Sequence, residues 1–502
     1  MTVTSPDRPS VRTDAADEAR ALLTELTALR ARVQKDAAGR MAGWRGRIAD
    51  PGFAGAAENL ATYLALRSCD LTALQPRLTA LGLSSLGRAE AHVSAALDAT
   101  IAALAAVAGE APLPFPAVAA FQQPVADLHR RRDALFGPGQ GAEQTRIMVT
   151  LPTEAGEDPS LTDRLVQAGA DCVRINCAHD DAAVWERMIA HARQAGDAHD
   201  RPVRVEMDLG GPKLRTDEVR GQKARLHVGD RFEIVAGLSK KVKRPQATLT
   251  QPGMMDAMVP GNAVWLDDGK LRAVIEDHGG DRVLLRVTGV RDKGLRLKPE
   301  KGVGLPGVDL DIPALTDDDR AALPFVARHA DLVAMSFVQT VADVIALTDA
   351  LAAEAPDRRP AIILKIETPM ALRNLPDLIV AAGGRGPVGV MIARGDLAVE
   401  VGFERLSEMQ EEILWLCEAA HVPVIWATQV LEGLVKEGQA SRAETTDAAM
   451  SQRAECVMLN KGPFLPEAVT FLRDILTRMD RHVLKKGERM GPLALWATPA
   501  TV

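Results

Sequence analysis

Eight short apolar runs, at 147–151, 172–176, 203–209, 332–337, 361–367, 388–393, 423–428 and 456–460, recur along the chain, each followed by apolar residues at helical spacing. Runs this uniformly hydrophobic are buried on both faces, as in parallel strands covered by helices. Strict alternation of such runs with helices predicts an α/β fold, a (β/α)8 barrel closed on itself. Most of the runs end in a polar or charged residue. In such a barrel the strand C-terminal ends meet at one rim, so Arg174, Asp208, Lys365, Glu367, Asp396 and Thr428 are expected to converge there.

The remainder of the chain has different periodicities. From 17 to about 107, Leu and Ala recur at helical spacing, as in ARALLTELTALRARVQ and EAHVSAALDATIAALAAV, which predicts a helical bundle or hairpin. GEAPLPFP at 109–116 reads as a linker, followed by one more helix and a boundary near 140. The gap between the third and fourth runs is far longer than a strand-to-helix connection needs. It contains ARLHVGDRFEIVAG, AVWLDDGKLRAVIED and RVLLRVTGVR, alternating runs between glycine turns, which predict a small antiparallel β domain over the rim. The expected division is an N-terminal helical domain and linker (1–140), a first part of the barrel (141–215), an inserted β lid (216–304) and a second part of the barrel with a tail (305–502).

Composition narrows the class of partner. The chain has 502 residues, 47% hydrophobic and 25% charged, enough for two or three globular units. A net charge of −7 argues against general affinity for nucleic acid or anionic membrane, leaving a small-molecule partner. Five cysteines, mostly in apolar runs and without metal-ligand spacing, read as reduced core residues. The first residues form no apolar leader, and no apolar stretch is expected to reach membrane-spanning length, so the expected location is the cytoplasm.

Glu367 and Asp396, acids at the ends of the fifth and sixth strands, suit a hard divalent cation with positions left open to substrate oxygens. Lys365, two residues before Glu367, shares its face of the strand. An internal salt bridge is the competing account of that pair. Arg174 and Asn176 repeat the spacing on the second strand and add a further cation. Two cations and a metal ion suit a phosphorylated, carboxylated substrate.

At these places the chain resembles the pyruvate kinase family. DCVRINCAH, EMDLGGPKLRT, KGVGLPGVDLDIPALTDDD, VAMSFVQTVADV, ILKIETP, VMIARGDLAVEV, VPVIWATQVLE and SRAETTDAA carry the likeness, colinear from about 145 to 469. The resemblance implies a cytoplasmic glycolytic phosphotransferase that moves the phosphoryl group of phosphoenolpyruvate to ADP, giving pyruvate and ATP. It implies that Glu367 and Asp396 hold Mg2+ (or Mn2+), that Lys365 faces the phosphoryl group and enolate oxygen, and that Arg174 grips the phosphate. Gly395 would open a helix whose amides receive the substrate carboxylate, and Thr428 would help protonate the enolate carbon. Arg215 and Lys301, at the two hinges of the lid, would approach the nucleotide phosphates, with His179 near the adenosine and Asn176 beside it.

Departures from the family pattern carry their own expectations. Many members bind a monovalent cation through a hydroxyl residue where this chain has Ala178, and a threonine and lysine where it has Leu209 and Gly210. Lys213 stands where those members have glutamate, and in the family a lysine there accompanies independence from potassium. An ammonium beside Asn176 and Asp208 would replace the mobile ion, so K+ is not expected to be required. After the eighth strand, Asn460, Lys461 and Gly462 replace a serine, glycine and glutamate run, which bears on the phosphoryl acceptor. The chain is expected to lack the family's C-terminal domain, and its N-terminal helices to cover that surface or to mediate self-association into a homo-oligomer. Arg67, Arg88 and His92 read as a solvated helix face rather than an effector site. Two other functions fit the same residues: a metal-dependent lyase or aldolase acting on an enolate, and a weakly catalytic sensor of phosphorylated metabolites.

Overall fold

The computed structural model describes residues 11–139, 144–221, 225–267, 269–308, 312–485 and 487–488. The first ten residues, the boundary expected at 140, the stretch 309–311 and the tail beyond 488 lie outside the described residues. The chain begins with α1 (Val11–Trp44), α2 (Ala54–Arg67), α3 (Leu74–Ala80) and α4 (Val93–Ala108), followed after the extended proline-rich stretch by α5 (Ala119–Phe136). Leu22, Leu26 and Val33 of α1 are buried with Leu60 of α2 and Leu97 and Leu104 of α4, which makes α1 the spine of the bundle. One stretch, Glu90–Ala108, is after all long and apolar enough to cross a membrane, and 56% of it is buried inside the bundle. Its Ala and Leu positions serve helix packing, where small side chains let α1 approach.

The barrel follows: β1 (Arg146–Thr150), α6 (Pro159–Ala168), β2 (Cys172–Asn176), α7 (Ala182–Ala198) and β3 (Arg204–Leu209). The insert comes next, with β4 (Thr216–Arg220), β5 (Arg231–Val235), β6 (Gln246–Leu249), β7 (Ala263–Leu266), β8 (Leu271–His278), β9 (Arg282–Val290) and β10 (Val303–Gly304). The barrel resumes with α8 (Asp317–His329), β11 (Leu332–Met335), α9 (Val341–Glu354), β12 (Ala361–Ile366), α10 (Pro369–Gly383) and β13 (Val388–Ala393). It ends with α11 (Arg394–Val401), α12 (Phe403–Ala419), β14 (Val424–Ala427), α13 (Glu432–Glu437), α14 (Arg442–Met450), β15 (Cys456–Leu459) and α15 (Leu465–Met479).

Eight parallel strands close in the order β1-β15-β14-β13-β12-β11-β3-β2. Each predicted run therefore supplies one strand. Capping boxes at Thr316/Asp319, Thr340/Asp343 and Ser441/Glu444 fix the starts of α8, α9 and α14, each satisfying otherwise orphaned amides. The end of α5 closes the barrel at its strand N-terminal mouth. Leu135 and Phe136 sit in one apolar cluster with Met148, Ile363, Met391, Ile425 and Cys456 from the strand interiors. Buried Arg146 fastens this end by donating to Gly137 O (3.0 Å) and Asp133 Oδ1 (2.6 Å).

The insert forms a seven-stranded sheet, β10-β7-β8-β9-β5-β6-β4, around its own core of Phe232, Ile234, Val264, Leu285 and Val287. It is not wholly antiparallel as expected: β5 and β6 pair in parallel. The long connection between those two strands lets the chain return to the same end of the sheet, which a hairpin turn cannot do.

The helical bundle packs on α10 and α12. Trp44 Nε1 and Arg47 Nη1 donate to Asp377 Oδ1 (3.1 and 2.6 Å), and Asn59 Nδ2 donates to Glu90 O and Ala419 O (both 2.8 Å). Arg67 and Arg88 are exposed, as a solvated face requires, whereas His92 is not. Arg67 lies 4.9 Å over the Trp415 ring and donates to Tyr63 Oη, while half-buried His92 meets Phe121 edge-on at 4.9 Å. A guanidinium over an indole gains cation–π attraction and covers apolar surface at the junction.

Candidate active site

Strand register places the charged groups. Arg174 on β2 stands opposite Thr150 of β1 and Glu206 of β3, and Asn176 stands opposite Asp208. Arg174 Nε donates to Asp208 Oδ2 (2.8 Å), Nη2 donates to the same oxygen, and Nη1 donates to Thr150 Oγ1 (3.1 Å). From β12, Lys365 Nζ lies 3.1 and 3.2 Å from the two oxygens of Asp208 and 3.3 Å from Glu367 Oε1, and donates to Ser336 Oγ. Asp208 thus joins two cations that are 157 and 34 residues away in sequence. Their side chains keep 12% (Arg174) and 11% (Lys365) of their surface exposed, enough to meet a ligand from the rim.

Burial and charge compete at each group. Burial alone would raise the Asp208 pKa, but Lys365 and Arg174 outweigh it and hold Asp208 low and ionised. Burial opposes the charge on Lys365, and Asp208 and Glu367 more than restore it, so its ammonium holds its proton more tightly than usual. Glu206, fully buried, is pushed up to about 8 by burial and then by Asp208, with Arg174 and Lys365 resisting. Neither of its oxygens has a hydrogen-bond partner among the described residues, and Arg174 Nε is 3.8 Å away. A neutral carboxyl costs far less than an unpaired carboxylate at such a depth.

Glu367 follows β12, and its Oε2 accepts from Phe337 N (2.6 Å). Phe337 has a φ of +54°, a strained value for a bulky residue, and that backbone turns the amide onto the acid. Asp396 lies in the first turn of α11. Burial first and the neighbouring Asp396 charge next push Glu367 up, opposed by Lys365 and the Phe337 amide. Two mutually repelling acids, one of them desolvated, form a donor set that a divalent cation would relieve. They supply only part of a coordination sphere: no group of three or more His, Cys, Asp or Glu able to hold a metal occurs among the described residues. The remaining positions would fall to ligand oxygens and water, which is how Mg2+ is commonly held.

Two backbone features shape the rim where α11 meets β14. A Cβ on Gly395 would come within 2.7 Å of Thr428 Cγ2, so the start of α11 can approach β14 only as glycine. Thr428 itself has a φ of +71°, unusual for a β-branched residue, and its carbonyl accepts from Arg394 Nη2 (2.6 Å). Arg394 also donates to Ala427 O and to Asp447, and stacks on Trp426 at 4.8 Å. This locks the strained turn between β14 and α13.

The placement of Lys213 differs from the expected pocket. Its Nζ donates to Asp396 Oδ1 at 2.6 Å, while the oxygens of Asp208 are taken by Arg174, Lys365 and Ser336. The tight turn at Gly211 explains the difference. Gly211 has a φ of +64° and would bring a Cβ within 2.7 Å of Ser336 Cβ, so the chain folds back over β11 and carries Lys213 off the end of β3. Asn176 Oδ1 accepts from its own loop, at Ala178 N (3.1 Å).

Arg174, Asn176 and exposed His179 line one cavity of about 350 Å3 with Glu432, Lys436, Asn460 and Lys461. Arg215 and Lys301 do not line it. They lie where the two chain segments of the insert meet the barrel, Arg215 bridging to Gly302, with Arg215 Nη1 donating to Glu300 O (3.2 Å) and Lys301 Nζ standing 3.9 Å from Asp267 Oδ1. Sequence reading missed Glu206, Ser336, Thr150 and the Arg394–Asp447 pair. Glu206 was within reach, since it alternates with Asp208 along β3 and so faces the same interior. The partners of Arg394 carry no local signal.

Residues 142–464 match the family model described as pyruvate kinase, barrel domain. The chain is 32% identical to a pyruvate kinase of Methylorubrum extorquens over 68% of its own length and 70% of that protein. It is 31% identical to a pyruvate kinase of Geobacillus stearothermophilus, covering 67% of the chain and 57% of the relative. With a pyruvate kinase of Corynebacterium efficiens it shares 34% identity, over 63% and 65%. The chain therefore spans between 57 and 70% of the length of these relatives.

Proposed function

The chain belongs to the pyruvate kinase family, and on that premise we propose that it transfers the phosphoryl group of phosphoenolpyruvate to ADP, giving pyruvate and ATP in the cytoplasm. The observation that carries this reading is the convergence of Lys365 and Arg174 on Asp208 beside Glu367, a rigid pair of cations at the rim. Lys365 neutralises the phosphoryl oxygens in transit and the oxygen of the departing enolate, and Arg174 holds the phosphate from the β2 side. Because Asp208 already fixes both side chains, little reorganisation accompanies the charge shift, which is the basis of electrostatic catalysis in such sites. The first amides of α11, at Gly395 and Asp396, take the substrate carboxylate. The bond from the enolate oxygen to phosphorus breaks as the nucleotide β-phosphate oxygen bonds to it, and the enolate carbon takes a proton relayed from the side of Thr428.

Glu367 and Asp396 would hold a divalent cation, magnesium or manganese, which when bound would supply Lewis-acid charge to substrate oxygens. The nucleotide lies in the cavity of Asn176, His179 and Lys461, with Arg215 and Lys301 reaching its phosphates when the lid closes. Closure would exclude water, the competing acceptor. Lys213, held on Asp396 Oδ1, provides a fixed positive charge in place of potassium.

An assay coupling pyruvate formation to ATP formation tests the reading, run with potassium and then with tetramethylammonium in its place. ATP should form stoichiometrically with pyruvate and at similar rates in both salts. Pyruvate without ATP would instead indicate a lyase, and a steep dependence on potassium would remove the role given to Lys213.

A further inference from the structure

We propose that a groove at the foot of the barrel, between α9, α10 and the segment Arg45–Arg47, binds a small phosphorylated metabolite. The groove encloses about 470 Å3, within the size of small-molecule pockets. Four guanidinium groups line it from three separate segments: Arg47 after α1, Arg358 and Arg359 between α9 and β12, and Arg385 after α10. In a chain with a net charge of −7 this is a local reversal of sign. Two of the four are matched by carboxylates, Arg47 by Asp377 (2.6 Å) and Arg385 by Asp349 (2.7 Å). Arg358 is anchored through a backbone carbonyl rather than a carboxylate, donating to Ala330 O (3.1 Å). Arg358 and Arg359 therefore present a surplus of two positive charges, the complement of a phosphate monoester, and guanidinium forks match phosphate oxygens in pairs. Between the arginines the floor is apolar, formed by Ile345, Leu351, Ile362 and Pro387. That pairing of charged rim and apolar floor suits a phosphate ester with an organic body better than the free ion.

The two helices that wall the groove reach the catalytic rim at their other ends. The N-cap of α9 follows Phe337, whose amide holds Glu367, and α10 starts at Thr368, directly after Glu367. Thr368 Oγ1 donates to Gln339 Oε1 (3.3 Å) and Asn374 Nδ2 to Gln339 O (2.8 Å), tying the two helix starts together. A ligand that shifts α9 against α10 at the foot is thus transmitted to Glu367. Binding stands independently of the phosphotransfer reading, whereas this coupling rests on it.

Calorimetric titration of the full chain with phenyl phosphate, compared with inorganic phosphate, tests the site. Phenyl phosphate should bind, inorganic phosphate more weakly, and Arg359→Glu should weaken the phenyl phosphate site about tenfold or more. Arg385→Ala serves as a second variant should the first fail to fold, with a smaller loss expected. Identical isotherms for the parent and both variants would confine the probe to the catalytic rim and overturn the proposal. In turnover assays the probe should change KM for phosphoenolpyruvate by about twofold through a component that Arg359→Glu abolishes. An effect that persists in the variant is competition at the rim and overturns the coupling. A chain that binds the probe at the foot but makes no ATP would defeat the phosphotransfer reading and leave this site standing.

Discussion

The two mouths of the same barrel are built from opposite materials. At the foot, α5 inserts Leu135 and Phe136 into a layer of Met148, Ile363, Met391 and Ile425, all apolar and buried. At the rim, Arg174, Glu206, Asp208, Lys365 and Glu367 crowd the same strands, and the backbone at Phe337 and Thr428 takes left-handed values that ordinary packing does not favour. The foot is a solution to burial. The rim gives up burial energy to hold charges in fixed positions, and the barrel can carry that load because its lower layers are dry. Stability and chemistry are thus divided along the strand axis, a few residues apart.

Substitutions at each end should separate the two properties. The largest effect is expected from Lys365→Met, which should lower kcat by about 10³-fold or more, well beyond any accompanying fall in melting temperature from the loss of a buried ion-pair partner. Steady-state kinetics beside calorimetry would check it, and near-normal kcat would break the division. Phe136→Ala should do the reverse, costing about 3–5 kcal/mol in denaturant unfolding with kcat per folded molecule unchanged. A comparable loss of kcat would mean that the foot and the rim are one unit.

Glu206 sharpens the comparison because it belongs to the rim by charge and to the core by burial. A carboxyl whose pKa rises from 4.5 to about 8 on folding binds its proton more tightly in the folded state. Its contribution to stability is therefore complete below pH 4.5 and is lost as pH rises through 8. Glu206→Gln should flatten that decline, with an advantage over the parent of more than about 1 kcal/mol above pH 8; parallel curves of stability against pH for the two proteins would contradict the assignment. The smallest effect is expected at Lys213. Lys213→Ala should make the rate respond severalfold to potassium, and a variant still indifferent to the salt would show that the Asp396 contact is structural.

Much of this division is legible in the sequence. The eight runs specify the barrel, since period and length together leave few alternatives for apolar segments so evenly alternated with helices. Lys365 and Glu367 are legible as a pair because alternation along β12 forces them to one side. What stays hidden is closure around the ring. Asp208 joins Arg174 and Lys365 only after β2, β3, β11 and β12 align, and the contact of Lys213 with Asp396 spans 183 residues across a glycine turn whose direction no local pattern gives. The parallel pairing of β5 with β6 is hidden for the same reason, because alternation sets the faces of a strand but not its neighbour. The role of α5 is the clearest omission: its sequence, AAFQQPVADLHRRRDALF, predicts a helix but not where it docks, and its last two residues enter the barrel cluster.

That insertion also orders events during synthesis. The tip of α5 leaves the ribosome before any strand of the barrel exists, and part of its socket, Cys456 and Met458 on β15, is made more than 300 residues later. Until then Leu135 and Phe136 have no complete site to enter, so the N-terminal bundle can settle early while the base of the cylinder seals last. Joining the first-made and last-made segments across so long a loop is slow, which makes the nascent cylinder, open underneath, the state that cellular chaperones would meet.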